Sequence, residues 1–346
     1  MLMVILGAGA SYDSSRDFPT PECLGRPAPC ELETWRPPLA PSLFLDPNHE
    51  FRPIVRKYLH LSHIIGYLRQ PSDGRSVEEE LEFLQNESNK RERLRELASV
   101  SYYLRDLLFQ VTVKWWNQTS GVTNYAPLLE QILRLNSAGE PVCLVTFNYD
   151  LLLDHTLPSF DYKTMPIEDQ FNAHPVFKVF KPHGSIDWAR VVNLPPDRRM
   201  SPRELIEKAD TITLTDQFVT LPSPEHADNG HQTVFPVIAI PVQTKTEDNF
   251  VWPESHRTHL EQLLPSVKKI LIIGWQAREA HFLEMLQVAR MKLTHLMVVG
   301  KDDGNAHLTL KHFCKELGQT PPKWSVGQKC FTHFVIHREG NLLFQT

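Results

Sequence analysis

Asn148 and Asp150 stand two residues apart at the end of an apolar run. Between them they offer an amide, which both donates and accepts hydrogen bonds, and an acceptor carboxylate. The run before them, Val142-Cys143-Leu144-Val145, is β-branched and apolar and predicts a buried strand; Leu151-Leu152-Leu153 after them predicts the start of a helix. Polar groups delivered at the carboxyl end of a strand stand where open α/β sheets bind ligands. The same two residues also suit helix capping, with Asn148 as the cap and Asp150 in the first turn. Their spacing alone does not choose between the two roles.

Other strand ends carry small or titratable residues. Met3 to Leu6 predicts a first strand, and Gly7-Ala8-Gly9-Ala10-Ser11 follows at once, letting backbone amides approach phosphate oxygens. As a dinucleotide fingerprint this is partial: Tyr12 stands where a third glycine is expected, and Glu31 and Glu33, near the distance of a ribose-binding acid, fall in a proline-rich stretch. Hydride transfer is therefore disfavoured; a plain strand-to-helix turn is the alternative. Val176 to Lys181 predicts a short strand ending in Lys181-Pro182-His183-Gly184-Ser185, Lys269 to Ile273 one ending in Gly274-Trp275, and His295 to Val299 one ending at Gly300. Among sixteen histidines, a packed structural role is the default for His183 taken alone. The pairs His60/His63 and His256/His259 have helical i,i+3 spacing, but no nearby carboxylate or cysteine completes a metal site, so none is expected there. Trp115-Trp116 is expected in the core or at an oligomer interface.

The elements that must position these residues alternate strand, loop and helix, which predicts an α/β fold: a Rossmann-like, doubly wound parallel sheet with a helical insertion subdomain. Helical patterns cover Pro53 to Arg69, Ser76 to Asn89 (with Ser76 and Glu79 as a capping box), Lys90 to Asn117 and Tyr125 to Asn136. They place the insertion at about 50–137 of a single domain, 1–346, whose core comprises 1–20, 138–190 and 234–346. Arg190 to Pro236 reads as less regular, with a helix at Pro202–Lys208 and a hairpin over Thr211–Leu221. Val237 to Ile240 reads as a strand and Phe331 to His337 as an edge strand. Phe18 to Pro41 holds seven prolines and no periodicity, the pattern of a lid or a disordered loop.

The bulk numbers narrow the function classes. With 346 residues, 41% apolar and 22% charged, the chain can bury a sizeable core. A net charge of −5 without a long basic run argues against a dedicated nucleic-acid surface. The opening MLMVIL is too short to span a bilayer and lacks a basic leader, so no membrane segment is expected. Five scattered cysteines without a CxxC pair argue for a reducing cytoplasm, against a disulfide framework and against a four-cysteine zinc site.

Taken together, Gly7-Ala8-Gly9-Ala10-Ser11, Thr146-Phe147-Asn148-Tyr149-Asp150, Lys181-Pro182-His183-Gly184 and Ile273-Gly274-Trp275 resemble the blocks of the Sir2-like (sirtuin) NAD-binding family. The closest flavour is its bacterial antiphage-defence branch. The resemblance covers most of the chain as scattered blocks, with the helical insertion and 190–235 poorly anchored. Two departures stand out. The paired cysteines of the deacylases' zinc module are missing, and Ser14-Ser15-Arg16-Asp17-Phe18-Pro19 only loosely matches the family's string after the glycine turn. The resemblance thus implies NAD as substrate, no zinc, and an NAD glycohydrolase giving nicotinamide and ADP-ribose. It implies that Asn148 orients the ribose or a water, that Asp150 bonds the nicotinamide carboxamide and that His183 acts as general base or hydroxyl partner. Gly7, Ala8, Gly9 and Ser11 would cradle the pyrophosphate, Thr146 would line the site beside Asn148, and Gly274 and Gly300 would line the adenosine side. It further implies gating through a homo-oligomer or a separate partner such as a HerA-like ATPase. NAD-dependent deacylation, ADP-ribosyl transfer, cyclisation to cyclic ADP-ribose and a non-catalytic NAD-sensing scaffold are the alternatives.

Overall fold

The computed structural model describes residues 1–21, 35–45, 51–71, 74–87, 90–195, 197–221, 232–240 and 251–345. Its centre is a six-stranded parallel sheet of β1 (Leu2–Leu6), β2 (Val142–Thr146), β3 (Phe177–Phe180), β7 (Lys269–Ile273), β8 (His295–Val299) and β9 (Lys323–Val326). The spatial order is β3-β2-β1-β7-β8-β9. The chain winds outward from β1 in one direction and from β7 in the other, so the topological switch falls between these neighbours. Side chains alternate across the sheet as the two-residue strand period requires. Met3, Ile5, Cys143, Val145, Ile270 and Ile272 enter one core; Val4, Leu6, Val142, Leu144, Leu271 and Ile273 enter the core on the opposite face. With both faces covered, the strands read as continuous apolar runs.

The helices are α1 (Ala8–Tyr12), α2 (Arg52–Lys57), α3 (Leu59–Arg69), α4 (Val77–Asn86), α5 (Arg91–Gln118), α6 (Tyr125–Leu135), α7 (Leu152–Thr156), α8 (Pro202–Glu207), α9 (Glu254–Leu263), α10 (Ala280–Val288), α11 (Asp303–Leu317), α12 (Phe331–His337) and α13 (Asn341–Phe344). Between β1 and β2 the chain runs through α2 to α6. The capping box forms at α4, where Ser76 Oγ accepts from the Glu79 amide at 3.1 Å and Glu79 accepts from the Ser76 amide at 2.6 Å. The 28-residue α5 is about 42 Å long at 1.5 Å per residue. Leu97 to Val111 lie in the insertion's own core, and Trp115 reaches the core on the sheet, so one helix ties the two together.

Several expectations need correction. Phe331 to His337 is a helix, because Phe331, Phe334 and Val335 repeat at helical spacing and bury one face; the edge strand is β9. The stretch read as irregular carries most of a three-stranded antiparallel sheet, β5-β4-β6, of β4 (Gly184–Val192), β5 (Leu214–Thr220) and β6 (Val234–Ile238). Its Thr211–Leu221 part is one strand paired with β4, not a hairpin. Ile186, Val192 and Ile238 of this small sheet pack into the insertion's core, so helices and sheet share one interior. The pattern over Pro53–Arg69 breaks at Tyr58, whose backbone leaves the helical region (φ −118°, ψ 88°) and whose hydroxyl donates to Asp106 Oδ2 at 2.7 Å. Cys330 is disulfide-bonded to a residue outside the described ones, against the expectation of reduced cysteines; Cys143 and Cys314 are free. Most of the proline-rich stretch also lies outside the described residues. Among those described, no helix is long and apolar enough to cross a membrane.

Candidate active site at the carboxyl edge of the sheet

The register of the sheet lines up its chemistry. Leu6 pairs with Thr146 and with Ile273, and Ile273 with Val299. The next row is therefore Phe147, Gly7, Gly274 and Gly300, all beyond the carboxyl ends of their strands. At the switch, the two glycine turns interlock. Gly7 N donates to Ile273 O at 3.0 Å and Gly9 N to Gly274 O at 3.1 Å. A β-carbon on Gly7 would lie 2.6 Å from Gly274 O, and one on Gly274, whose φ is +62°, 2.3 Å from the Ala10 amide nitrogen. These glycines are required first by turn-to-turn packing; Ala8 alone of the stretch is exposed. Gly300 packs against the start of α11, with its notional β-carbon 2.6 Å from Asn305 Oδ1. Nothing brings it into contact with the polar residues beyond β1 and β2.

Beside this turn lies a buried polar network. Asn148, 6% exposed, donates through Nδ2 to Ser11 Oγ at 2.9 Å and to Tyr125 Oη at 3.3 Å. Ser11 Oγ and Tyr125 Oη are themselves 2.9 Å apart. Asn148 Oδ1 is buried and has no hydrogen-bond partner among the described residues. Thr146 does not point at the others; its Oγ1 accepts the Asn148 amide at 3.2 Å and shapes the turn. Asn148 does not cap a helix: α7 begins at Leu152, and it is Asp150 Oδ1 that accepts the Leu152 amide at 3.1 Å. Burial raises the Asp150 carboxyl above the usual range, while the Ser11 hydroxyl and that amide hold it down. Capping and site membership thus meet in Asp150.

His183, 3% exposed, packs its ring edge-on against Phe147 at 4.8 Å between centroids and stacks on Tyr149 at 6.0 Å. The aromatic residues that flank Asn148 in sequence therefore pack on the imidazole. Phe147 also stacks on Trp275 at 5.2 Å, and the Trp275 indole donates to Glu279. The His183 turn is fixed from below. Gly184 (φ +74°) lets the chain pass Val237, whose carbonyl would sit 2.1 Å from any β-carbon there. Ile186 N donates to Tyr149 O at 3.0 Å, tying this turn to the one that carries Asn148. Lys181, 1% exposed, donates to Asp154 Oδ2 at 2.6 Å and Ser185 Oγ at 3.0 Å. Burial raises Asp187, with the Lys181 ammonium opposing the rise.

The sequence reading missed Tyr125, and it missed the cluster that anchors α1. The Asp13 carboxylate accepts Thr332 N and Thr332 Oγ1, both at 2.8 Å, and Asn124 Nδ2 donates to Asp13 O and Thr332 Oγ1, both at 2.8 Å. These partners lie 111 to 319 residues apart in the chain, so no local signal could pair them. A carboxylate does approach one of the histidine pairs. His63, Glu92 and Glu96 bring ligand atoms within 4.8 Å of one another, although Glu96 is already bonded by Arg93 Nη1 at 2.5 Å. His256 is a core residue held on Ile167 O at 2.5 Å, its imidazole pushed down to about 4 by burial.

No family profile and no curated protein matches the sequence. Three solved structures share its general course. One, from a study of sirtuin substrate affinity, has 12% identity and a TM-score of 0.36 over 98% of this chain and 94% of its own. A Sir2 variant with a deacetylated p53 peptide and 3′-O-acetyl ADP-ribose has 14% identity and a TM-score of 0.36 over 99% and 94%. A Sir2 homologue variant complexed with ADP-ribose has 11% identity and a TM-score of 0.34 over 92% and 94%. At these scores the likeness carries no argument. The assignment of a doubly wound α/β sheet rests on the strand order, and the reading of the site on the residues at its carboxyl edge.

Proposed function

We propose that the protein is an NAD glycohydrolase that cleaves the bond between nicotinamide and ribose. One observation carries this reading: a buried asparagine amide at the switch edge of the sheet is hydrogen-bonded through its nitrogen and leaves its carbonyl oxygen unpartnered. A buried acceptor without a donor costs free energy unless a ligand or water supplies one. A ribose hydroxyl or an attacking water is such a donor. Cleavage builds oxocarbenium character at the anomeric carbon, so catalysis needs an oriented sugar, a held leaving group and a base for water. Asn148 takes the first role, Asp150 the second through the carboxamide, and His183 the third. Gly7, Ala8, Gly9 and Ser11 face the pyrophosphate, and Gly274 lines the turn opposite.

The deciding experiment measures nicotinamide release from NAD by the wild type, Asn148→Ala and His183→Ala, alone and with neighbouring gene products. Each substitution is expected to lower release about 100-fold or more. Equal release by all three proteins would refute the assignment. Release that occurs only with an acyl-lysine substrate would replace hydrolysis by deacylation. Binding of NAD without any release would leave a sensing scaffold.

A further inference from the structure

Two hydroxyls, one amide and one carboxylate meet at the edge of β1 and β2, and their protons can be counted. Ser11 and Tyr125 each have one proton to give; the Asn148 amide has two, both on Nδ2. Ser11 Oγ touches Tyr125 Oη at 2.9 Å and Asn148 Nδ2 at 2.9 Å, and Tyr125 Oη touches Nδ2 at 3.3 Å. One hydroxyl donates to the other, and both oxygens keep lone pairs with which to accept the two Nδ2 protons. Rotating the amide by half a turn would put Oδ1 against two hydroxyls with one proton left between them, and would strand two buried N–H donors.

We infer that Tyr125 and Ser11 are positioning residues, which together lock the Asn148 amide with its carbonyl oxygen toward the ligand. The inference rests on the glycohydrolase reading for what the oxygen meets, but not for how the amide is held. Tyr125 suits the task because α6 begins there and its ring is wedged against Phe331 at 5.9 Å. Its hydroxyl thus arrives on a rigid element. Burial and the nearby Asp150 charge push the phenol up, so it stays a donor. A rotamer held from two sides offers the substrate one acceptor in one place, at little ordering cost on binding.

The test uses the full chain with 15N-labelled asparagine, the Asn148 side-chain signal being the one lost in Asn148→Ala. In the wild type this NH2 pair is expected to exchange with solvent more slowly than exposed asparagine amides. Tyr125→Phe and Ser11→Ala should each speed its exchange while the rest of the spectrum stays dispersed. In turnover of NAD, each should lower kcat roughly 10- to 100-fold, with KM little changed in Tyr125→Phe, and the kcat of the double variant should fall no further than the worse single. Unchanged exchange and unchanged kcat in both variants would overturn the inference. A wild type that does not cleave NAD, but whose Asn148 amide still loosens in both variants, would reject the glycohydrolase reading and uphold the positioning.

Discussion

Asn148 shows how one residue's role depends on what is far from it in sequence. Its amide direction is set by Ser11 and Tyr125, 137 and 23 residues away. Asp13 is a second case at this scale, and it makes a pH prediction. Burial raises its carboxyl from 3.8 to about 6, opposed by the Thr332 donors and the Arg36 charge. Between these two values the folded state keeps a proton that the unfolded chain releases. This group therefore favours folding fully below about pH 4, and the contribution is lost as pH rises through about 6. The shift corresponds to at most about 3 kcal/mol. In urea unfolding, wild type minus Asp13→Asn should fall by up to that amount between pH 4 and pH 7. A difference that stays constant with pH would show that Asp13 titrates normally.

At the scale of elements, the turns matter more than the strands they end. Gly274→Ala places a β-carbon against the Ala10 amide at a positive φ, where the neighbour is backbone and cannot swing away. A loss of about 2 kcal/mol or more is expected in denaturant unfolding, with loss of NAD binding because the Gly7–Gly9 turn must shift. Ser76→Ala removes one half of the α4 capping box and should cost only about 1 kcal/mol in the same unfolding measurement. Lys181→Met leaves Asp154 and Asp187 without their buried ammonium, for an expected loss of about 3–5 kcal/mol by the same measurement. Wild-type stability in that variant would mean that the pair is dispensable to the His183 turn. The helices were legible beforehand where periodicity and capping agree, as at α4 and α5. The small sheet was not, because β4 and β5 pair residues tens of positions apart and β5 buries none of its residues fully.

At the scale of the whole molecule, Asn148 and His183 are both buried. An enzyme that depletes NAD, as proposed above, must be held in check in its own cell, and we propose that self-assembly or a separate ATPase partner does so. Specific activity should then rise with protein concentration or on adding the partner, and sedimentation should show a larger species over the same range. A monomer that hydrolyses NAD at full rate would remove the need for a gate.

The residues by themselves determined the alternation of strands and helices, because burial on both faces of a parallel sheet leaves unbroken apolar runs that end abruptly in glycine or polar turns. They also determined which turns hold the candidate residues: Gly7 to Ser11 and Thr146 to Asp150 follow paired strands, and His183 packs on Phe147 and Tyr149. Only the tertiary structure decided how these residues are held. It set the Asn148 amide against Ser11 and made the glycines of two distant turns fit one another. These contacts join residues more than a hundred positions apart, and a hydrogen bond or close packing across that distance leaves no period or spacing in the chain.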